Sequence, residues 1–299
     1  MKSKLAPIWI FIIMSFFSCE QVIPYPYLAK EDALIEVWCE LSDADSAIVN
    51  ISKLFAITHE HRDKNDYLDA LDSDLQFFVN GKEVPVQLLT SSQQDKYKVV
   101  YPFQQGDKIS LICSAPEMPT VTASTQIPYA APTLIHDFRL TKEQGTLSGY
   151  LVLKDNPDTY DAYEVNIDLV EHYTQFKGDE IVKTGQIRHG AYTANPGVFQ
   201  WAQLFDDTYA DKHSEIKIDF QDLSLYYKPG VVMIDGEEIM METWVEARAI
   251  VSVLSKELYY YRLRTQSHSM SPSCYTNIIG GFGYLGAKAD VTSQTLKYE

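Results

Sequence analysis

His59 and His61 in "THEHRD" stand two residues apart, so on a strand both imidazoles would leave one face and could meet a metal ion. Zinc needs a third and a fourth ligand, and none is identifiable. The HExxH signature is absent, because Glu60 is followed at once by His61. A solvated strand end accounts for the pair better, and no metal is expected. Asp155, Asp158 and Asp161 in "DNPDTYD" crowd three carboxylates that would suit calcium. They lack the spacing and the distal glutamate of an EF-hand loop. Asn-Pro and Asp are ordinary turn residues, so a turn between strands is expected there. Asp206 and Asp207 in "LFDDTYADK" are read the same way.

Other chemistry-bearing patterns are missing: no GxSxG elbow, no phosphate-cradling glycine loop and no GxGxxG. Carboxylates are so numerous that any two could be paired as acid and base, which is a reason to nominate no catalytic residue. No cofactor is expected. Tyr259, Tyr260 and Tyr261 would serve either a binding face or a core.

Cys19 is the residue whose chemistry is best placed by its surroundings. Lys2 and Lys4 give a positive start, and Leu5 to Phe17 form an apolar stretch interrupted by Pro7 and Ser15. That run is shorter than the roughly 20 residues a membrane-spanning helix needs. A charged start, a short apolar middle and a small residue, Ser18, describe a secretory signal. With Cys19 next, "FFSC" suggests a bacterial lipoprotein signal in which Cys19 becomes the acylated first mature residue. The alternative is a plain secreted protein with an incidental cysteine. The cysteine ends the apolar run and Glu20 turns the chain polar, which favours the lipoprotein. Each buried CH₂ of an acyl chain adds about 0.8 kcal/mol of membrane affinity.

The chain has 25 lysines and arginines against 41 acids. Removing residues 1–18 takes away two lysines and no acid, leaving 23 against 41. So acidic a surface argues against nucleic acid and against electrostatic docking on anionic lipid. Cys39 in "IEVWCEL" and Cys113 in "ISLICSA" fall on the apolar face of their strands. Export permits a disulfide between them, of the kind immunoglobulin domains carry. Free thiols packed as small hydrophobes suit the pattern equally. No CxxC pair exists, so a zinc ribbon or a thioredoxin-like dithiol is excluded.

The elements that must position these residues read as strands. Residues 19–32, with "IPYPY", form an extended tether. From 33 to 128 about seven short strands are separated by turn signals, which predicts an antiparallel sandwich. "LQFFVNGKEVPVQLL" predicts a hairpin around Asn80-Gly81. "PYAAPTLIHDF" reads as a linker into a second β-rich domain over 129–299. Asp235-Gly236 marks another hairpin there. One helix is expected near 255–269, with Ser255 as N-cap and Glu257 in its first turn. "NIIGGFGYLGAK" suits close-packed strands.

The order of these features resembles the lipoproteins of Bacteroidota catalogued as domain of unknown function 4249. The resemblance rests on the lipobox cysteine, "LIEVWCELS", "GDKISLI", "TASTQIPYAAP", "LFDDTYADK" and, most specifically, "YYYRL" followed by "TNIIGGFGYLGAKA". The chain departs from the family at Cys39, where glycine is favoured, and at Ala210-Asp211. The resemblance implies an outer-membrane lipoprotein with an immunoglobulin-like first domain, facing the periplasm or the cell surface. It further implies an accessory role beside a TonB-dependent transporter barrel. The expectation is thus a non-enzymatic binding or accessory protein anchored in the outer membrane. The alternatives are a surface hydrolase acting on glycan or peptide, and an adhesion or structural module.

Overall fold

The computed structural model describes residues 33–54, 71–90, 94–143, 146–156, 158–189, 204–206, 215–224, 229–266 and 275–298. The proposed signal and tether, Cys19, His59, His61, Asp207 and Cys274 lie outside the described residues. The chain is mainly β, as its alternating patterns require. In β1 (Leu34–Leu41) every second residue is buried, and β2 (Ser46–Leu54) repeats the pattern. Then come β3 (Asp74–Val79), β4 (Lys82–Val84), β5 (Val86–Thr90), β6 (Gln94–Val100), β7 (Lys108–Ser114) and β8 (Val121–Gln126). Asn80 and Gly81, between β3 and β4, both hold positive φ, as the hairpin turn demands.

The hairpin does not continue as one ladder. Pro85 lies between β4 and β5, and β5 pairs with β6 in the opposite sheet. A proline has no N–H to donate, so it is a natural place for a strand to leave its sheet. The first half is therefore a sandwich of β5-β6-β2-β1 over β4-β3-β7-β8. Its core includes Ile35, Val37, Val49, Phe77 and Leu111.

The second half holds β9 (Ile135–Glu143), β10 (Thr146–Lys154), β11 (Ala162–Lys177), β12 (Glu180–His189), β13 (Leu204–Asp206), β14 (Glu215–Ser224), β15 (Gly230–Ile234) and β16 (Glu237–Leu254). The chain closes with helix α1 (Lys256–Gln266), β17 (Phe282–Thr292) and β18 (Leu296–Tyr298). Sheet β14-β10-β9 packs on the long β11–β16 ladder around Leu151, Val165, Phe220 and Val251. Among the described residues no helix is long and apolar enough to cross a membrane.

The halves share β17. Its first six residues pair in parallel with β1, from Glu36↔Phe282 to Leu41↔Ala287. Its last five pair antiparallel with β16, from Leu254↔Lys288 to Ile250↔Thr292. One 11-stranded sheet therefore runs through both halves. Leu285 and Ala287 fill the first core, while Ala289, on the same face, fills the second. The first sheet is consequently not wholly antiparallel, and residues 282–287 pair into it, with Leu285 and Ala287 in the first core, although they fall within the range 129–299. Asn277 starts this segment: its amide donates to Leu285 O at 2.8 Å and accepts from Leu285 N at 3.0 Å.

Helix α1 covers the other face of β17. Gly286 lies so close that an added Cβ would come within 2.7 Å of Leu258 Cβ. The Ser255 hydroxyl accepts from Leu258 N at 3.3 Å, which caps the helix, and from Ala287 N at 3.1 Å. Ser255→Ala leaves both amides without that acceptor. The expected result is a loss of about 1–2 kcal/mol in unfolding free energy by urea titration, with Ser255→Asp recovering part of it.

Candidate functional site

Three connecting segments converge where the halves meet. They are residues 124–134, leaving β8 for β9; residues 154–156 and 158–163, between β10 and β11; and residues 253–257, where β16 turns into α1. Together they line an open cleft of 910 Å³. The linker is tied to both sides. Gly106 N donates to Ile127 O at 2.8 Å, and Ala130 N donates to Gln105 Oε1 at 3.0 Å. Lys154 N donates to Leu134 O at 2.8 Å. Between these ties Tyr129 stays 72% exposed. Its ring rests on Gly106, where a Cβ would fall 2.2 Å from the hydroxyl oxygen.

The "DNPDTYD" segment behaves as the turn its residues imply. Asp158 N donates to Asn156 Oδ1 at 3.2 Å, and Thr159 N donates to Asn156 O at 3.2 Å. The turn also aims side chains. The Thr159 hydroxyl donates to Asp161 Oδ2 at 2.6 Å, and the Tyr160 hydroxyl donates to Asp206 Oδ2 at 2.6 Å. The buried Tyr163 hydroxyl donates to Asp155. Opposite, the Thr125 hydroxyl donates to Glu257 Oε2 at 2.9 Å, linking β8 to the first turn of α1.

Burial raises the Asp161 carboxyl, with the Asp155 charge adding to it and the Thr159 hydrogen bond opposing it. Burial also raises the Tyr160 phenol, reinforced by Asp206. Tyr275 is pushed up to about 12 by burial and by the Glu257 charge. Asp155, Asp161 and Glu257 thus line one cleft, each already accepting a hydrogen bond from the protein. Among the described residues no group of His, Cys, Asp or Glu is arranged to hold a metal ion.

The tyrosines of α1 divide between roles. Tyr259 is buried with Leu258 and Leu254. Tyr261 stacks on Tyr284 with centroids 4.0 Å apart, and Trp38 meets both rings edge-on. Cys39 and Cys113 face the first core from opposite sheets and are free thiols, so the bridge considered for them is not formed. Burial first, then the Glu40 charge, pushes the Cys39 thiol up to about 12. Burial, then Asp74 and Asp95, does the same to Cys113, also to about 12.

Raised thiol values favour the neutral, folded form. This contribution is fully present below about 9 and is lost as pH rises toward about 12. At pH 8 a maleimide should label neither residue in the native chain and both in urea, read by peptide mass spectrometry. Cys39→Ala should flatten the alkaline fall in stability.

Sequence reasoning missed a second surface. Ile181, Phe176, Met240 and Val231 form one cross-strand row at the far end of β12-β11-β16-β15. Ile181, Met240 and Val231 are 58%, 50% and 65% exposed. The signal was present in "GVVMIDGEEIMME", where apolar residues continue to the strand ends around a turn.

No family model matches the chain, and no curated protein matches it. One similar solved structure is the Yersinia pseudotuberculosis adhesin InvE, at 10% identity and a TM-score of 0.21. The alignment covers 86% of this chain, which spans 58% of the adhesin's length. At that score the likeness carries no argument.

Proposed function

We propose that this chain is a membrane-anchored extracytoplasmic lipoprotein, a non-enzymatic binding or accessory component of a TonB-dependent outer-membrane uptake system. The observation that carries the binding role is the cleft between the halves. It is open, Tyr129 and Tyr160 face solvent, and each of its three lining carboxylates is engaged by a fixed hydroxyl of the protein. Groups held in this way are preorganised to receive a ligand. The anchor role draws on the "FFSC" signal, and the transporter on the resemblance carried by "TNIIGGFGYLGAKA". The apolar row on β12-β11-β16-β15 supports a protein partner, since exposed apolar patches mark such contacts.

Purification of the tagged full chain from outer membranes in mild detergent tests this reading. Recovery of a TonB-dependent barrel in stoichiometric amount is expected. Barrel-free chain, together with normal growth of a deletion strain on every nutrient tried, would contradict it.

A further inference from the structure

We infer that the cleft binds an uncharged oligosaccharide of several sugar rings. The inference rests on the binding role proposed above and names the ligand class.

Charge comes first. Among the described lining side chains, Asp155, Asp161 and Glu257 are matched by Lys108, Lys154 and Lys256. The cleft is thus locally balanced in a chain whose formal charge is −16. A site for an anion or a cation carries a surplus of the opposite sign, and this one carries none. An electrically neutral ligand is the match.

The rings come second. Tyr129 enters from the linker and Tyr160 from the β10–β11 turn, and Tyr160 is 53% exposed. Both are held in place, Tyr129 against Gly106 and Tyr160 by its bond to Asp206. Fixed, solvent-facing tyrosines offer a flat apolar face at low cost in conformational entropy. The C–H face of a pyranose is flat, apolar and ring-sized, so it fits such a platform.

The lining supplies what sugar hydroxyls need. Ser124, Gln126, Thr133 and Asn156 add donors and acceptors. Asp155 and Glu257 add carboxylate acceptors, since an ionised carboxylate has about four lone-pair sites and can accept more than one hydrogen bond. The apolar lining residues Ile127, Leu134, Val253 and Leu254 are all buried, so the exposed rings Tyr129 and Tyr160 supply the apolar surface that a ligand would meet. Volume sets the length. At 910 Å³ the cleft lies near the top of the roughly 300–1,000 Å³ range of small-molecule sites. One sugar ring would leave most of it empty.

Isothermal titration calorimetry on the full chain in mild detergent tests the inference. The probes are maltohexaose, cellohexaose, mannohexaose and xylohexaose, alongside a tri-galacturonate and an uncharged hexapeptide. At least one of the four neutral sugars should bind with a Kd below about 1 mM. Salt should leave that Kd unchanged, because no net charge is neutralised. Tyr129→Ala and Tyr160→Ala should each weaken it on the order of tenfold, about 1.4 kcal/mol, with thermal unfolding unchanged. Tyr129→Phe should bind as the wild type does.

Binding of the galacturonate or the peptide in preference would overturn the inference, as would unchanged affinity in the Tyr129→Ala/Tyr160→Ala double variant. Failure of all four neutral sugars while a barrel still co-purifies would overturn it and leave the accessory role standing. Sugar binding without any barrel partner would uphold it and remove the transporter role instead.

Discussion

Gly283→Ala should lower the unfolding free energy by roughly 3–5 kcal/mol, among the largest effects of any single substitution in this chain. Gly283 has φ +99°, and a Cβ added there would lie 2.0 Å from Val37 O and 2.9 Å from its carbonyl carbon. Both atoms belong to the backbone of β1, opposite Gly283 in the parallel ladder. Backbone cannot step aside as a side-chain tip can, so β17 must move. Because β17 joins the two halves within one sheet, the loss should appear as one cooperative shift in urea, not as separate unfolding of one half. Gly178 is the control. It also has positive φ, +60°, but nothing lies within 4 Å of a Cβ there. Its alanine variant should cost only the backbone strain, about 1–2 kcal/mol. Equal losses at the two positions would show that the contact with Val37 does not matter.

Arg262→Ala should cost roughly 2–4 kcal/mol, the second largest effect. The guanidinium on α1 pairs with Glu40 on β1, with Nη2 2.7 Å from Oε2, and with Glu164 on β11. It thus joins the first half to the second behind β17. Side-chain exposures of 16%, 30% and 13% for Arg262, Glu40 and Glu164 keep the group mostly out of water. Removing one partner from a fully buried pair costs about 3–5 kcal/mol, and partial exposure here reduces that. Glu40 keeps Lys288 Nζ at 3.4 Å, so Glu164 bears most of the loss. Arg262→Lys should recover less than half, because an ammonium lacks the fork that serves two carboxylates. Urea titration of the single variants and of Arg262→Ala/Glu164→Gln checks this. The double variant should be more stable than Arg262→Ala alone.

Much of the local structure was legible in the residues. Period-two burial in "LIEVWCEL", the positive-φ pair Asn80-Gly81 and the cap at Ser255 follow from chemistry within a few positions. The glycine-rich tail was read as close-packed strand, and Gly283 and Gly286 are where it packs against β1 and α1. The partner of that strand was not legible. Parallel pairing of β1 with β17 joins segments some 245 residues apart, for example Val37 with Gly283, and leaves no local period to read. The shift of β5 into the other sheet was marked by Pro85, but a proline shows that a ladder stops and not where the next begins.

The cleft was hidden for the same reason. Thr125 and Glu257 share a hydrogen bond across 132 positions, and "DNPDTYD" was correctly a turn without revealing what its tyrosine and aspartates face. Residue types alone identified turn chemistry there. The neighbouring segments make it the wall of a site.

In the proposed function, location, partner and reach all depend on an anchor at Cys19. In that reading the 14 residues between Cys19 and β1 would span at most roughly 46 Å when extended, which would keep the first sandwich near the membrane. Metabolic labelling with an alkyne fatty acid, followed by purification of the full chain and mass analysis of its N-terminus, tests this directly. The account predicts label on the wild-type chain at Cys19, with residues 1–18 removed, and none on Cys19→Ala. An unlabelled wild-type chain, or equal label in the Cys19→Ala variant, would contradict it.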